Sequence, residues 1–210
     1  MFKKLLSFTL VAACVAMMSV ASYATEPTTE VSDEEIFANG THVESEVFEA
    51  EGEKFVKDVY VYTEELPSTR SAEQTFIQTT ACYINSLEKS PRLTNPVQDP
   101  ESKTRSSIIY VTSSSATGYP DHTGYRLTRA TAQVGSGMTG VTFERLTAYC
   151  HDYQTPNNPQ TYSLSGSGNV VKYLSFNGYV ADVYGGMLGT YLEFDFRGES
   201  ITLPNFLFNN

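Results

Sequence analysis

Stretches of four to ten residues rich in Val, Ile, Thr, Tyr and Phe recur along this chain, with glycine, proline or asparagine turn signals about every 8 to 12 residues. Only Thr75 to Ile84 leaves a helix as the runner-up to a strand. β-Branched and aromatic side chains suit a pleated, half-buried surface. The sequence therefore predicts an all-β protein, an antiparallel β-sandwich with a small β-barrel as the alternative. The expected strands are Val43 to Phe48, Phe55 to Tyr62, Thr75 to Ile84, Ile108 to Ser113, Tyr125 to Val134 and Val141 to Tyr149. Thr161 to Leu164, Val170 to Phe176, Tyr179 to Val183, Tyr191 to Phe196 and Ile201 to Phe208 follow. Turns are expected at Glu51-Gly52-Glu53, Gly135-Ser136-Gly137, Gly166-Ser167-Gly168 and Arg197-Gly198-Glu199. Between Leu87 and Ser106 three prolines predict a long loop.

The first residues belong to a different kind of signal. Met1-Phe2-Lys3-Lys4 runs into an apolar stretch from Leu5 to Val20 and then Ser22-Tyr23-Ala24, the pattern of a secretory signal peptide spanning residues 1–24. The apolar run is shorter than the roughly 18 to 20 residues of a membrane-spanning helix, so no integral membrane segment is expected after cleavage. Val11-Ala12-Ala13-Cys14 has the look of a lipidation site, but the apolar stretch continues past Cys14 and favours cleavage after Ala24. The expected product is secreted and extracellular, with 186 residues beginning at Thr25.

Charge divides the chain unevenly. From Thr25 to Leu66 there are 13 acidic residues and two lysines, whereas the rest is nearly balanced. The reading is an acidic, disordered leader over 25–42, a β-sandwich domain over 43–210 and a candidate hinge at 66–71. A net charge of −10 repels phosphate backbones, so nucleic acid is not an expected partner.

Export leaves two cysteines, Cys82 and Cys150, and an oxidising exterior predicts that they pair. Closing that loop of about 69 residues removes roughly 4.4 kcal/mol of unfolded-chain entropy. A thiol nucleophile is the competing reading, but His151 adjoins Cys150 and neighbours on a strand face opposite ways. His42 and His122 have no sequence link to either thiol. Asp121-His122 and His151-Asp152 could supply metal ligands, though each adjacent pair also cannot aim inward together from a strand. Glu193 and Asp195 share one strand face at a separation that glycoside hydrolysis permits. They equally describe the solvent face of a strand whose Phe194 and Phe196 point to the core. Ser167 lies in a turn and not in a nucleophile elbow. Nothing arranges acid, base and nucleophile, and no cofactor is called for.

The course from Leu174-Ser175-Phe176 through Asp182-Val183-Tyr184-Gly185-Gly186 to Tyr191-Leu192-Glu193-Phe194-Asp195-Phe196-Arg197-Gly198-Glu199-Ser200-Ile201 resembles small secreted all-β proteins of Gram-positive gut bacteria, with Ile201 where those would carry Trp. The resemblance implies a secreted sandwich and no activity. The tyrosine surplus, 14 in the full chain, adds contact surface with polar tips. The expected function is non-enzymatic binding of an extracellular protein or glycan. An extracellular hydrolase of unrecognised type and a bacteriocin-like or toxin-like factor are the alternatives. The expected ligand surface is Tyr184, Gly185 and Gly186, beside the proline-rich loop.

Overall fold

A computed structural model describes residues 31–67, 73–89, 96 and 100–210. The signal peptide with Cys14, residues 25–30 of the acidic leader, residues 68–71 of the candidate hinge and the middle of the proline-rich loop lie outside these residues. One short helix, α1 (Asp33–Asn39), precedes ten strands: β1 (Thr41–Ala50), β2 (Glu53–Leu66), β3 (Gln74–Ser86), β4 (Ser102–Ser113), β5 (Gly124–Val134), β6 (Val141–His151), β7 (Gln160–Ser163), β8 (Val170–Tyr173), β9 (Met187–Phe196) and β10 (Glu199–Asn209). They form two open antiparallel sheets, ordered β1-β2-β3-β4-β5-β8 and β10-β9-β6-β7. The architecture is a sandwich, and its strands do not close into a barrel.

Local chemistry explains the hairpins. At the β1–β2 turn Glu51 and Gly52 both take positive φ, 51° and 78°, and at the β9–β10 turn Arg197 and Gly198 take 52° and 88°. Two-residue turns of this hand match the right-handed twist of the strands they join. Between the sheets, alternate residues of β6 and β9 supply Phe143, Leu146, Leu192, Phe194 and Phe196, packed against Phe55, Ile84, Ile108 and Leu127 of the larger sheet. Phe55 meets Phe196 edge-on at 5.2 Å, and the Arg197 guanidinium lies over both rings, closing that end of the core.

Two elements differ from the expectation. β4 starts at Ser102, six residues before the apolar run, because Thr104 and Ser106 pair with Cys82 and Thr80 of β3 inside the sheet. Tyr179 to Val183 is no strand: only a single bridge, Tyr125 to Val180, holds it to β5.

The folded unit also begins before Val43. Ser32 caps α1 by accepting from the Glu35 amide at 3.1 Å, Ile36 is fully buried, and Phe37 packs edge-on against Tyr60. The Asp33 carboxylate accepts from the Tyr83 hydroxyl at 2.8 Å and pairs with Arg105 and Lys103. Much of the acidity read as an arm therefore sits on α1, β1 and β2. On the β1 edge, Glu44 and Glu46 clasp Lys57 at 2.9 and 2.8 Å.

The expected disulfide is not formed. Cys82 and Cys150 are both free and buried. Cys82 lies on β3 in the pairing row of Thr104 and Val134, whereas Cys150, on the facing sheet, hydrogen-bonds the backbone of Leu127. Leu127 and Val134 are seven residues apart on β5, roughly 20 Å along the strand. A disulfide requires Cα atoms within about 7 Å. Burial pushes the Cys82 thiol up to about 12 and the Cys150 thiol up to about 11, and a protonated thiol is a poor nucleophile. Native protein at pH 8 is expected to leave both thiols unmodified by an aromatic disulfide reagent. Unfolding without reductant should release two equivalents; fewer would mean that the cysteines are cross-linked.

Candidate functional site

The two shortest strands are the edges of the two sheets on the same flank of the sandwich, β7 on one and β8 on the other. A cleft of about 660 Å3 opens there, lined by Cys150, by Thr155 to Tyr162 of the β6–β7 connection and β7, and by Ser175, Phe176 and Asn177 after β8. Its walls are pinned from behind. Asp152 is buried, its Oδ1 accepts from the amides of Gln154 and Thr155 at 2.9 Å, and its Oδ2 accepts from the amide of Ala181 at 2.9 Å. One carboxylate thus ties the segment after β6 to the segment after β8. Gln160 makes a second tie: its Oε1 accepts from the Tyr162 hydroxyl at 3.0 Å and from the Ser175 amide at 3.3 Å. From β8, Lys172 holds its ammonium 5.2 Å from the centre of the Tyr162 ring.

What these ties leave over is as informative. The Asn158 and Asn177 carboxamides and the Gln160 amide nitrogen have no hydrogen-bond partner among the described residues, and all three residues line the cleft. Among the described residues, the large aromatic side chains left mostly exposed are Tyr153, Tyr173 and Tyr184, at 77, 76 and 85%. Tyr153 and Tyr184 belong to the two segments that Asp152 ties together, whereas Tyr173, adjacent to the inward Lys172, stands on the outer face of β8.

The three residues of the expected ligand surface have different surroundings. Tyr184 stands in solvent, and the Tyr153 ring comes within 3.4 Å of where a Cβ on Gly185 would lie. Gly186 does a different job. A Cβ there would sit 2.8 Å from the carbonyl oxygens of Ala181 and Val183, so its bareness admits the protein's own backbone. The described ends of the proline-rich loop are not beside this turn. Leu87 donates to the Lys54 carbonyl and Glu101 accepts from Arg197, whereas the turn adjoins Met187. Met187 and Phe196 are the two ends of β9, about 30 Å apart. Tyr184→Ala is expected to change stability by less than about 1 kcal/mol. A larger loss in chemical denaturation would place that ring in the fold's packing.

The residues weighed for chemistry have structural work. Glu193 takes a bidentate bond from Arg145, and Asp195 accepts from the Gly198 amide in the β9–β10 turn. His151 faces away from the Cys150 thiol, and burial lowers its pKa against the opposing pull of Asp152. Asp152 is committed to backbone amides, His122 packs against Tyr119, and His42 sits 3.2 Å from Asp58 on the β1–β2 edge. Gly166-Ser167-Gly168 is an exposed bend between β7 and β8. No group of three potential metal ligands occurs among the described residues, nor a helix long and apolar enough to cross a membrane. Comparison with protein-family models, with characterised proteins and with solved structures gave no match.

Proposed function

We propose that this chain is a secreted, non-enzymatic β-sandwich that holds an extracellular partner at the β7–β8 flank, in keeping with the Gram-positive secreted proteins it resembles. The cleft at this flank, with exposed Tyr153 and Tyr184 meeting at Gly185 on the two segments that Asp152 ties together, carries the reading. Exposed aromatics grouped around a concavity mark interaction surfaces, since scattered ones need no explanation and clustered ones would be costly without a partner. The acids and histidines considered for catalysis are held by neighbours that leave no acid–base pair in the cleft.

The test is expression with the native leader in a Gram-positive host. The protein is expected in the medium with Thr25 at its N-terminus. It should then be retained on bacterial cells or their insoluble extracellular polymer without releasing soluble products, and Tyr153→Ala/Tyr184→Ala should abolish that retention. Absence from the medium would overturn the secreted assignment. Turnover of the polymer, or retention indifferent to the double variant, would overturn binding at this flank.

A further inference from the structure

We infer that the cleft between β7 and β8 takes a neutral saccharide chain, an assignment that rests on the binding role proposed above. Its lining contains no carboxylate, guanidinium or ammonium group: Thr155, Pro156, Asn158, Pro159, Thr161 and Ser175 surround the Tyr162 and Phe176 rings. The nearest cation described, that of Lys172, is already seated over Tyr162. An anionic ligand would find no countercharge here, on a protein whose net charge is −10. A cation would find no carboxylate, since Asp152 is turned to three backbone amides.

Carboxamides are what remains. The free groups of Asn158, Asn177 and Gln160 include both donors and acceptors, and a sugar hydroxyl is likewise both donor and acceptor. Half-buried Tyr162 and Phe176 offer apolar ring surface to the C–H faces of a sugar. The volume falls within the range of about 300 to 1,000 Å3 found for small-ligand sites.

A peptide is the other neutral polymer with matched donors and acceptors, and it binds β-proteins by adding a strand to an edge. Here each edge offers only four residues, and Pro156 and Pro159 precede β7 on the same wall. That leaves little ladder to extend. The pinning by Asp152 and Gln160 further suits a rigid ligand, because the two walls are held at a set spacing before anything binds.

The experiment is titration of the exported protein, followed by amide chemical shifts, with hexasaccharides of glucose, xylose, mannose and galactose. A galacturonate hexamer and an unstructured ten-residue peptide are the comparators. At least one neutral hexasaccharide is expected to move the resonances of Thr155 to Tyr162 and Ser175 to Asn177. Asn158→Ala/Asn177→Ala should weaken it tenfold or more, with Val47→Ala on the β1 edge unchanged. Both asparagines are exposed and make no side-chain hydrogen bond among the described residues, so the double variant should keep the parent melting temperature. Binding of the galacturonate or the peptide alone, or saccharide binding unmoved by the double variant, would overturn the assignment. So would silence toward all four neutral hexamers at millimolar concentration. Retention on cells combined with that silence would leave the binding role standing and remove only the saccharide.

Discussion

Gly189→Ala is expected to destabilise the domain by at least about 3 kcal/mol, and Gly189→Val to prevent folding. Gly189 lies in the middle of the four-stranded sheet, paired with Tyr149 on one side and Phe206 on the other, at φ 154°. A Cβ there would fall 2.3 Å from the Asn205 carbonyl oxygen and 2.5 Å from the Phe206 Cα. Both are backbone atoms of β10 and cannot rotate aside. The space above is filled by the Phe206 ring, itself 4.7 Å from Tyr191 and 6.1 Å from Tyr149 between centroids. An added methyl would therefore part β9 from β10 and disturb the aromatic cover together. Thermal and denaturant unfolding measure this directly. A melting temperature within a degree or two of the parent would show that β10 can step outward at little expense.

Asn205→Ala should cost about 4 kcal/mol, a fall of about 8 to 16 °C in melting temperature for a domain of this length. Asn205 is 1% exposed in the interior between the sheets. Its Nδ2 donates to the carbonyls of Ser106 at 2.7 Å and Gln78 at 3.1 Å, and its Oδ1 accepts from the Gln78 amide at 2.9 Å. Removing it leaves the buried Gln78 carboxamide without that partner in a low-dielectric interior. The double variant Gln78→Met/Asn205→Leu should recover part of the loss, because the Gln78 amide is then no longer stranded. Equal losses in single and double variants would show that the amide pair contributes little beyond its volume.

This buried amide pair also marks where reading the sequence stops. Alternation made Val141 to Tyr149 and Tyr191 to Phe196 legible as strands with Phe143, Phe194 and Phe196 inward, and glycine marked the tight turns at Gly52 and Gly198. Those signals are local. Ser102 to Ser106 reads as polar loop and becomes strand only because β3 and β5 lie on both sides of it. Tyr179 to Val183 has the alternation but no adjacent strand to pair with. The cysteine prediction failed for the same reason: export and cysteine count say nothing of which level of the sandwich each thiol occupies. Tyr184 was picked out as a surface residue through its glycine-rich setting, and it is exposed. Asn158, Gln160 and Asn177 carried no signal of a site, because their common position depends on two sheet edges meeting across the molecule.

The separated thiols have a consequence for how the protein comes to be. With no bond to be made between Cys82 and Cys150, registration of the strands completes the fold without help from any oxidant or isomerase. The same conformation is reached in a reducing cytosol and in an aerated medium. The chain's folding is thereby uncoupled from the redox state of its surroundings.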